Sequence, residues 1–232
     1  MTDDAPARFD GFADRDGRFF RALAKNQRRD WFAAHRREYE AGWQAPMKAL
    51  LDEVHERIDR FFPRHPLAAP KVFRIHRDVR FAKDKSPYKT HVAGYVALAG
   101  GGDGPSAVIP LYLRVGAADR FAAAGHWMMD APQLARFRAA VLDDRHGRRL
   151  TQLLAPLVRG GYAVGSRETL KKAPRGVDPA HPRADLLKRK GLTVSFPPLP
   201  RQLLVDRALV DWLVRHAKRA VPLVEWLAEL GE

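Results

Sequence analysis

The chain of 232 residues contains no cysteine, so disulfide bonds, a thiolate nucleophile and cysteine-ligated metals are excluded. It also lacks long hydrophobic runs. The best candidate, residues 107–113, is strand-length and includes Pro110, whereas a membrane-spanning helix needs ~20 apolar residues. The N-terminal residues Met1 to Pro6 are acidic and do not resemble a signal peptide. These absences lead us to expect a soluble, cytoplasmic protein with no membrane partner.

Common catalytic and cofactor-binding motifs are absent as well. The sequence has no GxxxxGKS/T phosphate loop, no GxGxxG turn, no GxSxG nucleophile elbow and no zinc-finger spacing. His76, His91, His126 and His181 lie in or beside the basic regions described below, but none forms HxH, HxxxH or HExxH spacing with another. We therefore predict no metal site and no cofactor, and the motifs leave open whether the protein is an enzyme.

Negative charge is scarce relative to positive charge. Lysine and arginine number 41 against 27 aspartates and glutamates, which gives a formal net charge of +14. Such a balance favours acidic partners such as nucleic acid, nucleotides or phosphorylated metabolites. The alternative is a general arginine bias of the surface, which explains scattered charges better than clustered ones.

The positive charge is concentrated in two segments. The first basic segment, residues 71–91, has seven Lys or Arg against two Asp, and the second, residues 167–190, has eight against three acids. Each segment therefore carries +5, and together they account for +10 of the +14. The two segments could form one electropositive cleft, or they could be two separate solvated surfaces.

These segments supply the candidate site residues. Asp78 and His91 are candidate acid–base groups. Asp78 and Asp84 are also candidates for pairing with neighbouring arginines and fixing them in place. Trp127 and Tyr88 could stack on a base, or belong to the core. The candidate anion-binding residues are Arg74, Arg77, Arg80, Lys83, Lys85, Lys89, Lys171, Lys172 and Arg175.

Hydrophobic periodicity predicts an α+β fold. Helices are expected to begin near Asp16, Asp30 and Pro46, to resume after Pro132, and to end the chain as two helices at about 206–218 and 221–230. Between them, strands are predicted at 73–81, 91–98, 108–115, 120–129 and 192–196. Arg77 falls on the apolar side of the first strand, at a bulge or against a carboxylate. Successive strands without intervening helices favour a largely antiparallel central sheet flanked by N-terminal and C-terminal helices.

No linker separates two cores, so we expect a single domain over residues 1–232. Its core is expected to span about 17–230, with 1–15 as a flexible or loosely packed N-terminal segment.

Three motifs carry a resemblance to a known family. They are NQRRDWF at 26–32, FRIHRDVRFAKDKSPYKTH at 73–91, and KKAPRG at 171–176 with His181-Pro182 following. Together and in this order they resemble the family catalogued as domain of unknown function 2461, over about Phe19 to Leu227. The resemblance implies a single-domain soluble protein and supplies no catalytic residues. The family's motif positions correspond here to Arg74, Arg77, Asp78, Arg80, Lys83, Asp84, Lys85, Pro87, Tyr88, Lys89, Thr90, Lys172, Pro174 and Gly176.

The sequence therefore leads to one leading function and two alternatives. The leading expectation is a preorganised cationic cleft that binds or processes a phosphate-bearing ligand: a nucleotide, a nucleic acid or a phosphometabolite. One alternative is a non-catalytic module that binds nucleic acid or an acidic protein. The other is a purely structural network of arginine and aspartate, in which each motif arginine has a partner inside the fold. The sequence does not give the oligomeric state.

Overall fold

The computed structural model describes residues 8–80, 83–100 and 104–231. The helices are α1 (Arg18–Lys25), α2 (Arg29–Tyr39), α3 (Ala45–Asp59), α4 (Ala131–Leu142), α5 (Asp144–Arg159), α6 (Ala184–Leu187) and α7 (Ala208–Glu229), with a π-helical turn at Glu40–Gln44 joining α2 to α3. The strands are β1 (Lys71–Val72), β2 (His91–Val96), β3 (Val108–Gly116), β4 (Arg120–His126), β5 (Ala163–Gly165) and β6 (Leu192–Ser195).

The strands form one six-stranded sheet in the order β1-β2-β3-β4-β6-β5. Every neighbouring pair in this order is antiparallel. Helices precede the sheet strands, follow β4 and end the chain, so the predicted α+β class with an antiparallel sheet between N-terminal and C-terminal helices is confirmed.

The helices cover one face of the sheet. Helix α3 packs on β1 and β2, α7 on β3 and β4, and α5 on β5. Because side chains alternate along a strand, residues such as Val92, Leu113 and Val194 point into this helix-covered core and are at most 1% exposed. The burial of these large apolar side chains, at about 1.5–3 kcal/mol each, is the main force that holds helices and sheet together.

The opposite face of the sheet, which we call the open face, carries a second and much smaller apolar cluster. Its buried members are Tyr95, Ala97, Ala107 and Ile109, with Tyr112 packed beside them. All five belong to strands or to the connections next to them, and no residue of the described helices takes part. The open face is therefore accessible along part of its surface.

The N-terminal segment is more tightly packed than predicted. Phe9 and Phe12 are 0% and 4% exposed, and the Phe12 ring stacks on Trp43 with 5.5 Å between ring centroids. The Ala13 amide donates to the Gly42 carbonyl in the π-helical turn at 3.0 Å. For the described residues from 8 to 15, the prediction of a loosely packed segment is therefore wrong, because two phenylalanines anchor it in the core.

The predicted strand at 73–81 is also wrong. Among the described residues from 71 to 80, only Lys71–Val72 forms a strand. The Arg77 amide donates to the Pro87 carbonyl and the Lys89 amide to the Ile75 carbonyl, both at 2.8 Å. The first basic segment is thus an irregular hairpin-like loop beside β2, and Phe81, which was assigned to the strand, lies outside the described residues.

The C-terminus is one helix instead of the two predicted. Helix α7 runs continuously through Pro222. Proline has no amide hydrogen, so the carbonyl group of Lys218, four residues earlier, loses its helical hydrogen bond. Both residues lie on the exposed side of the helix, where water can satisfy that carbonyl. At the N-terminal end, the predicted cap Asp16 is wrong: the N-cap position of α1 is Gly17, and the Arg18 amide donates to the Asp14 carboxylate at 3.2 Å. Within the described residues, no helix combines the length and hydropathy needed to cross a membrane.

Candidate anion-binding site

The first basic segment is held in shape by ion pairs of its own. Asp78 accepts two hydrogen bonds from the Arg80 guanidinium, at 3.0 Å from Nε and 2.7 Å from Nη2, and Asp84 pairs with Arg77. Lys85 Nζ donates to the Val79 carbonyl at 2.9 Å. The expectation that the two aspartates fix neighbouring arginines is confirmed for Arg77 and Arg80.

The same contacts keep both carboxylates ionised. The hydrogen bonds from Arg80 lower the pKa of Asp78 to about 2. The hydrogen bonds from Ser86, followed by the Arg77 guanidinium, lower the pKa of Asp84 to about 2. Since a carboxylate with so low a pKa is a weak base, the geometry makes Asp78 an orienting group for Arg80 and a poor acid–base candidate.

The end of the loop is anchored in the N-terminal helices. Tyr88 is 4% exposed, and its ring stacks on Phe32 with 4.5 Å between centroids. Its amide donates to Gln27 Oε1 at 3.0 Å. Two of the motifs in the sequence, 26–32 and 73–91, therefore meet directly, and Tyr88 belongs to the core.

At one end of the open face, the charges of Arg74, Arg77, Lys89 and Arg114 influence one another or the neighbouring His91. We call Arg74, Arg77, Lys89, His91 and Arg114 the cationic cluster. Lys89 Nζ donates to the Arg74 carbonyl at 2.8 Å, and Arg114 lies one strand away, paired with Ala93 across β2 and β3. Arg114 Nε is 3.2 Å from Asp119 Oδ1.

The pKa of His91 is lowered by burial and by the neighbouring positive charges. Burial lowers the pKa of His91 to about 4, and the positive charges of Arg114, Lys89 and Arg77 contribute. Burial and the charge of Arg74 lower the pKa of Lys89 too. His91 is therefore neutral at pH 7, because burial and the neighbouring cations disfavour its protonated form.

The carboxylates of the cluster do not balance its cations. Asp84 pairs with Arg77 and Asp119 with Arg114. Within the described residues, neither the Arg74 guanidinium nor the Lys89 ammonium has a carboxylate at ion-pair distance. Of the other candidates in this segment, Lys85 bonds backbone carbonyls of the loop and Lys83 is exposed.

The second basic segment lies elsewhere. It connects Gly165 at the end of β5 to Leu192 at the start of β6, and Leu192 pairs with His126. His91 pairs with Gly116 at the other end of the sheet. The two segments thus occupy opposite ends of the sheet and different edges. In the part of the chain that the structure describes, no hydrogen bond or ion pair joins them.

Of the two arrangements considered from the sequence, the structure therefore favours separate surfaces over one shared cleft. Lys171, Lys172 and Arg175 are exposed and stand apart from the cationic cluster.

A comparison with known families agrees with the motifs. A family model described as conserved hypothetical protein (DUF2461) matches residues 17–226. The chain belongs to this family. The match includes the motif at 26–32, both basic segments and every strand of the sheet. No curated protein matches the chain.

The cationic cluster borders a trough of about 290 Å³ on the open face. Its lining includes three aromatic side chains that the sequence did not assign to a site, Phe73, Tyr112 and Phe121. Trp127, which the sequence analysis named as a stacking candidate, lines it as well. Arg114, also not predicted, lies in both the trough and the cluster. In β3, Tyr112 and Arg114 alternate with apolar residues that are buried. This alternation shows that the two side chains share one face of the strand, but the sequence does not indicate which face of the sheet the helices cover.

Proposed function

We propose that this protein binds a phosphate-bearing ligand at the cationic cluster. The observation that carries the proposal is that Arg74 and Lys89 lie close enough to influence each other's charge, as Lys89, Arg77 and Arg114 influence His91, at one end of the open face, while only Asp84 and Asp119 lie at ion-pair distance from these cations within the described residues. Holding like charges together in a low-dielectric site costs free energy. A bound phosphate would recover that free energy through charge-assisted hydrogen bonds.

The alternative of a ligand-free structural network accounts for only part of the loop. It explains Arg77 and Arg80, which pair with Asp84 and Asp78. Among the described residues, it leaves Arg74 without a carboxylate at ion-pair distance, and it gives Lys89 a backbone carbonyl and the face of the Phe73 ring but no carboxylate. A phosphate at this end of the sheet gives both groups a partner, which is why we favour a ligand.

The test compares two double variants that remove the same charge. Arg74→Gln/Lys89→Gln alters the cationic cluster, and Lys171→Gln/Lys172→Gln alters the exposed part of the second basic segment. Thymidine 5′-monophosphate and inorganic pyrophosphate serve as probes, with binding followed by the thermal unfolding midpoint and by phosphorus NMR. A ligand that binds the folded state at 100 times its Kd adds about 2.7 kcal/mol to the free energy of unfolding.

We expect both probes to stabilise the native protein and the 171/172 variant. The 74/89 variant should bind them at least tenfold more weakly while remaining folded. Equal binding by the two variants, or no binding of any probe by the native protein, would contradict the proposal.

A second candidate function is processing of the bound ligand, and one observation favours it. His91 lies on the open face among the cations and is neutral at pH 7. The negative charge of a bound phosphate would raise the pKa of His91 from about 4 and make the imidazole a stronger base, able to take a proton from a hydroxyl group or water beside the phosphate. Under this hypothesis His91→Gln retains phosphate binding and loses turnover. A His91→Gln protein with unchanged turnover of a phosphate ester would eliminate the role.

A further inference from the structure

We propose that the open face is a platform for single-stranded nucleic acid, whose bases stack on its aromatic residues while the phosphates contact the cationic cluster. This inference rests on the proposed function, because the cluster supplies the phosphate contact. It adds the ligand class, the direction in which the ligand runs and a second set of contact residues, all of which can fail while phosphate binding stands.

The first support is a continuous series of aromatic rings that begins at the cluster. Lys89 Nζ lies 5.3 Å from the centre of the Phe73 ring. Phe73 is 6.3 Å from Tyr112, and Tyr112 is 5.6 Å from Phe121, between ring centroids. Aromatic side chains on a sheet face are the usual means of holding unpaired bases, since every base presents a ring for stacking.

The second support is the floor of the trough, which is built from small residues. Across the sheet, Tyr112 pairs with Ala123 and Ala123 with Ser195, while Gly125 pairs with Thr193 in the next row. Gly125 has a φ of +122°, and a Cβ there would lie 2.2 Å from the Leu192 carbonyl oxygen. Small side chains keep the trough open enough for a planar ring to lie in it.

Polar groups that can contact base edges are present on the same floor. Thr193 and Ser195 line the trough and are partly exposed. Within the described residues, their hydroxyl groups form no hydrogen bond. Each hydroxyl can both donate and accept, so the pair can contact a base without demanding one sequence.

At the far end of the trough stands Trp127, one residue beyond β4. Its side chain is 45% exposed, which is unusual for the largest aromatic residue. From Phe121 to Trp127 the chain extends about 20 Å at the rise of a strand. That length accommodates two or three stacked bases, as on other nucleic-acid-binding sheets, whereas a single mononucleotide would leave one end empty.

Charge and shape favour a single strand over other occupants. In a duplex, the base faces are stacked on one another and cannot lie on Phe121 or Trp127. A second copy of this chain would bring no excess of negative charge to Arg74 and Lys89, since the protein is itself strongly basic. A flexible strand provides both an anionic backbone and free ring faces.

The test measures fluorescence anisotropy of 5′-labelled oligothymidine of eight residues at 50 and 200 mM NaCl. Competitors are unlabelled thymidine 5′-monophosphate and a self-complementary duplex of eight base pairs. Trp127→Leu removes the exposed ring and Trp127→Phe retains one. Trp31→Leu, on α2 away from the open face, is the matched control, and Phe121→Leu provides a second position in the trough.

We expect the single strand to bind at least tenfold more tightly than the monophosphate or the duplex, and more weakly at the higher salt concentration. Trp127→Leu should weaken binding about five- to tenfold, since stacking on one ring contributes that much or more. Trp127→Phe and Trp31→Leu should bind almost as well as the native protein, and Phe121→Leu should repeat the loss.

The outcomes separate this inference from the function on which it rests. If the monophosphate binds as tightly as the oligonucleotide and both trough variants bind normally, phosphate binding stands and the platform is wrong. If the duplex competes as well as the single strand and the trough variants bind normally, so that affinity depends on salt concentration alone, the interaction is general electrostatic attraction and the platform is wrong. If the protein is a dimer that Trp127→Leu dissociates, the open face is a self-association surface. If no probe binds, both proposals fail.

Discussion

The two basic segments have the same net charge in the sequence and very different surroundings in the structure. The first basic segment ends at the open face, where Arg74 and Lys89 lie without carboxylate partners among the described residues. The second pairs three of its eight cations with carboxylates of the described residues, among them Lys190 with Glu168 at 2.8 Å and Lys188 with Asp185 at 2.9 Å, and its exposed Lys171, Lys172 and Arg175 stand apart from the open face. Equal charge therefore does not imply equal availability to a ligand.

Arg183 shows how far the second segment is committed to the fold. It is 8% exposed, and its Nε donates to the Val141 carbonyl at 2.7 Å. Its Nη2 donates to the Leu142 carbonyl and to Asp144, both at 3.2 Å. A guanidinium that caps the last carbonyl groups of α4 neutralises the negative end of that helix, so its charge is not available to a ligand.

The largest effect should come from Arg183→Met. Removing the guanidinium leaves the buried Val141 carbonyl and the partly buried Leu142 carbonyl at the end of α4 without this donor. We expect the free energy of unfolding to fall by about 2–4 kcal/mol. Arg77→Met in the first basic segment is the matched variant. Its ion pair with Asp84 is 32% and 58% exposed, so the expected loss is below about 1 kcal/mol.

Urea denaturation of both variants provides the comparison. If Arg77→Met lowers the unfolding free energy as much as Arg183→Met, Arg77 is a structural residue and the contrast between the segments is wrong. If neither variant lowers the free energy of unfolding, the hydrogen bonds of Arg183 contribute less to stability than its burial indicates.

The next expected effect is a dependence of the fold's stability on pH through the protonation of His91. The folded-state pKa of His91 is about 4, below the 6.5 of an unperturbed imidazole, because of burial and then the charges of Arg114, Lys89 and Arg77. The unfolded chain therefore binds this proton more readily, and the stability of the fold should decrease as the pH falls from 6.5 to 4. At pH 7 the imidazole makes no such contribution.

An NMR titration of the His91 imidazole checks this directly. We expect a midpoint well below 6.5, an increase in Arg114→Gln, and a further increase when pyrophosphate occupies the cluster. In His91→Gln the loss of stability between pH 6.5 and 4 should be smaller by about 1–2 kcal/mol. A midpoint near 6.5 in the free protein would mean that the cations do not converge on His91.

The features that sequence analysis anticipated depend on neighbours in the chain. The succession of strand candidates without intervening helices was enough to predict an antiparallel sheet, and Asp78 lies two residues from the Arg80 that it binds. The predicted cap of α1 was wrong, because the N-cap position is Gly17 and only the backbone path determines that Asp14, rather than Asp16, accepts from the Arg18 amide.

The features that it missed depend on distant contacts. Phe12 is buried because its ring stacks on Trp43 and its amide donates to the Leu204 carbonyl. Nothing within residues 1–15 indicates those partners. Whether Tyr112 or Leu113 faces the helices follows from the placement of α7, over ninety residues away. The open face, and with it the location of the candidate site, could therefore be found only from the structure.

The smallest expected effect is a change in phosphate affinity when one carboxylate beside the cationic cluster is neutralised. Asp119 partly neutralises Arg114, whose Nε is 3.2 Å from its carboxylate. Asp119→Asn keeps an amide oxygen that can accept from Arg114 and removes the negative charge. We expect pyrophosphate to bind about two- to fivefold more tightly, the size typical of one exposed charge, and the gain to shrink as salt screens the cluster.

Asp185→Asn is the control, because it removes the same charge from the Lys188 pair in the second basic segment. Isothermal titration of both variants at 50 and 300 mM NaCl distinguishes local from general effects. A gain confined to Asp119→Asn means that the anion is bound beside Arg114. Equal gains in the two variants would mean that only the net charge of the protein is being measured, and the distinction between the segments would have no functional consequence.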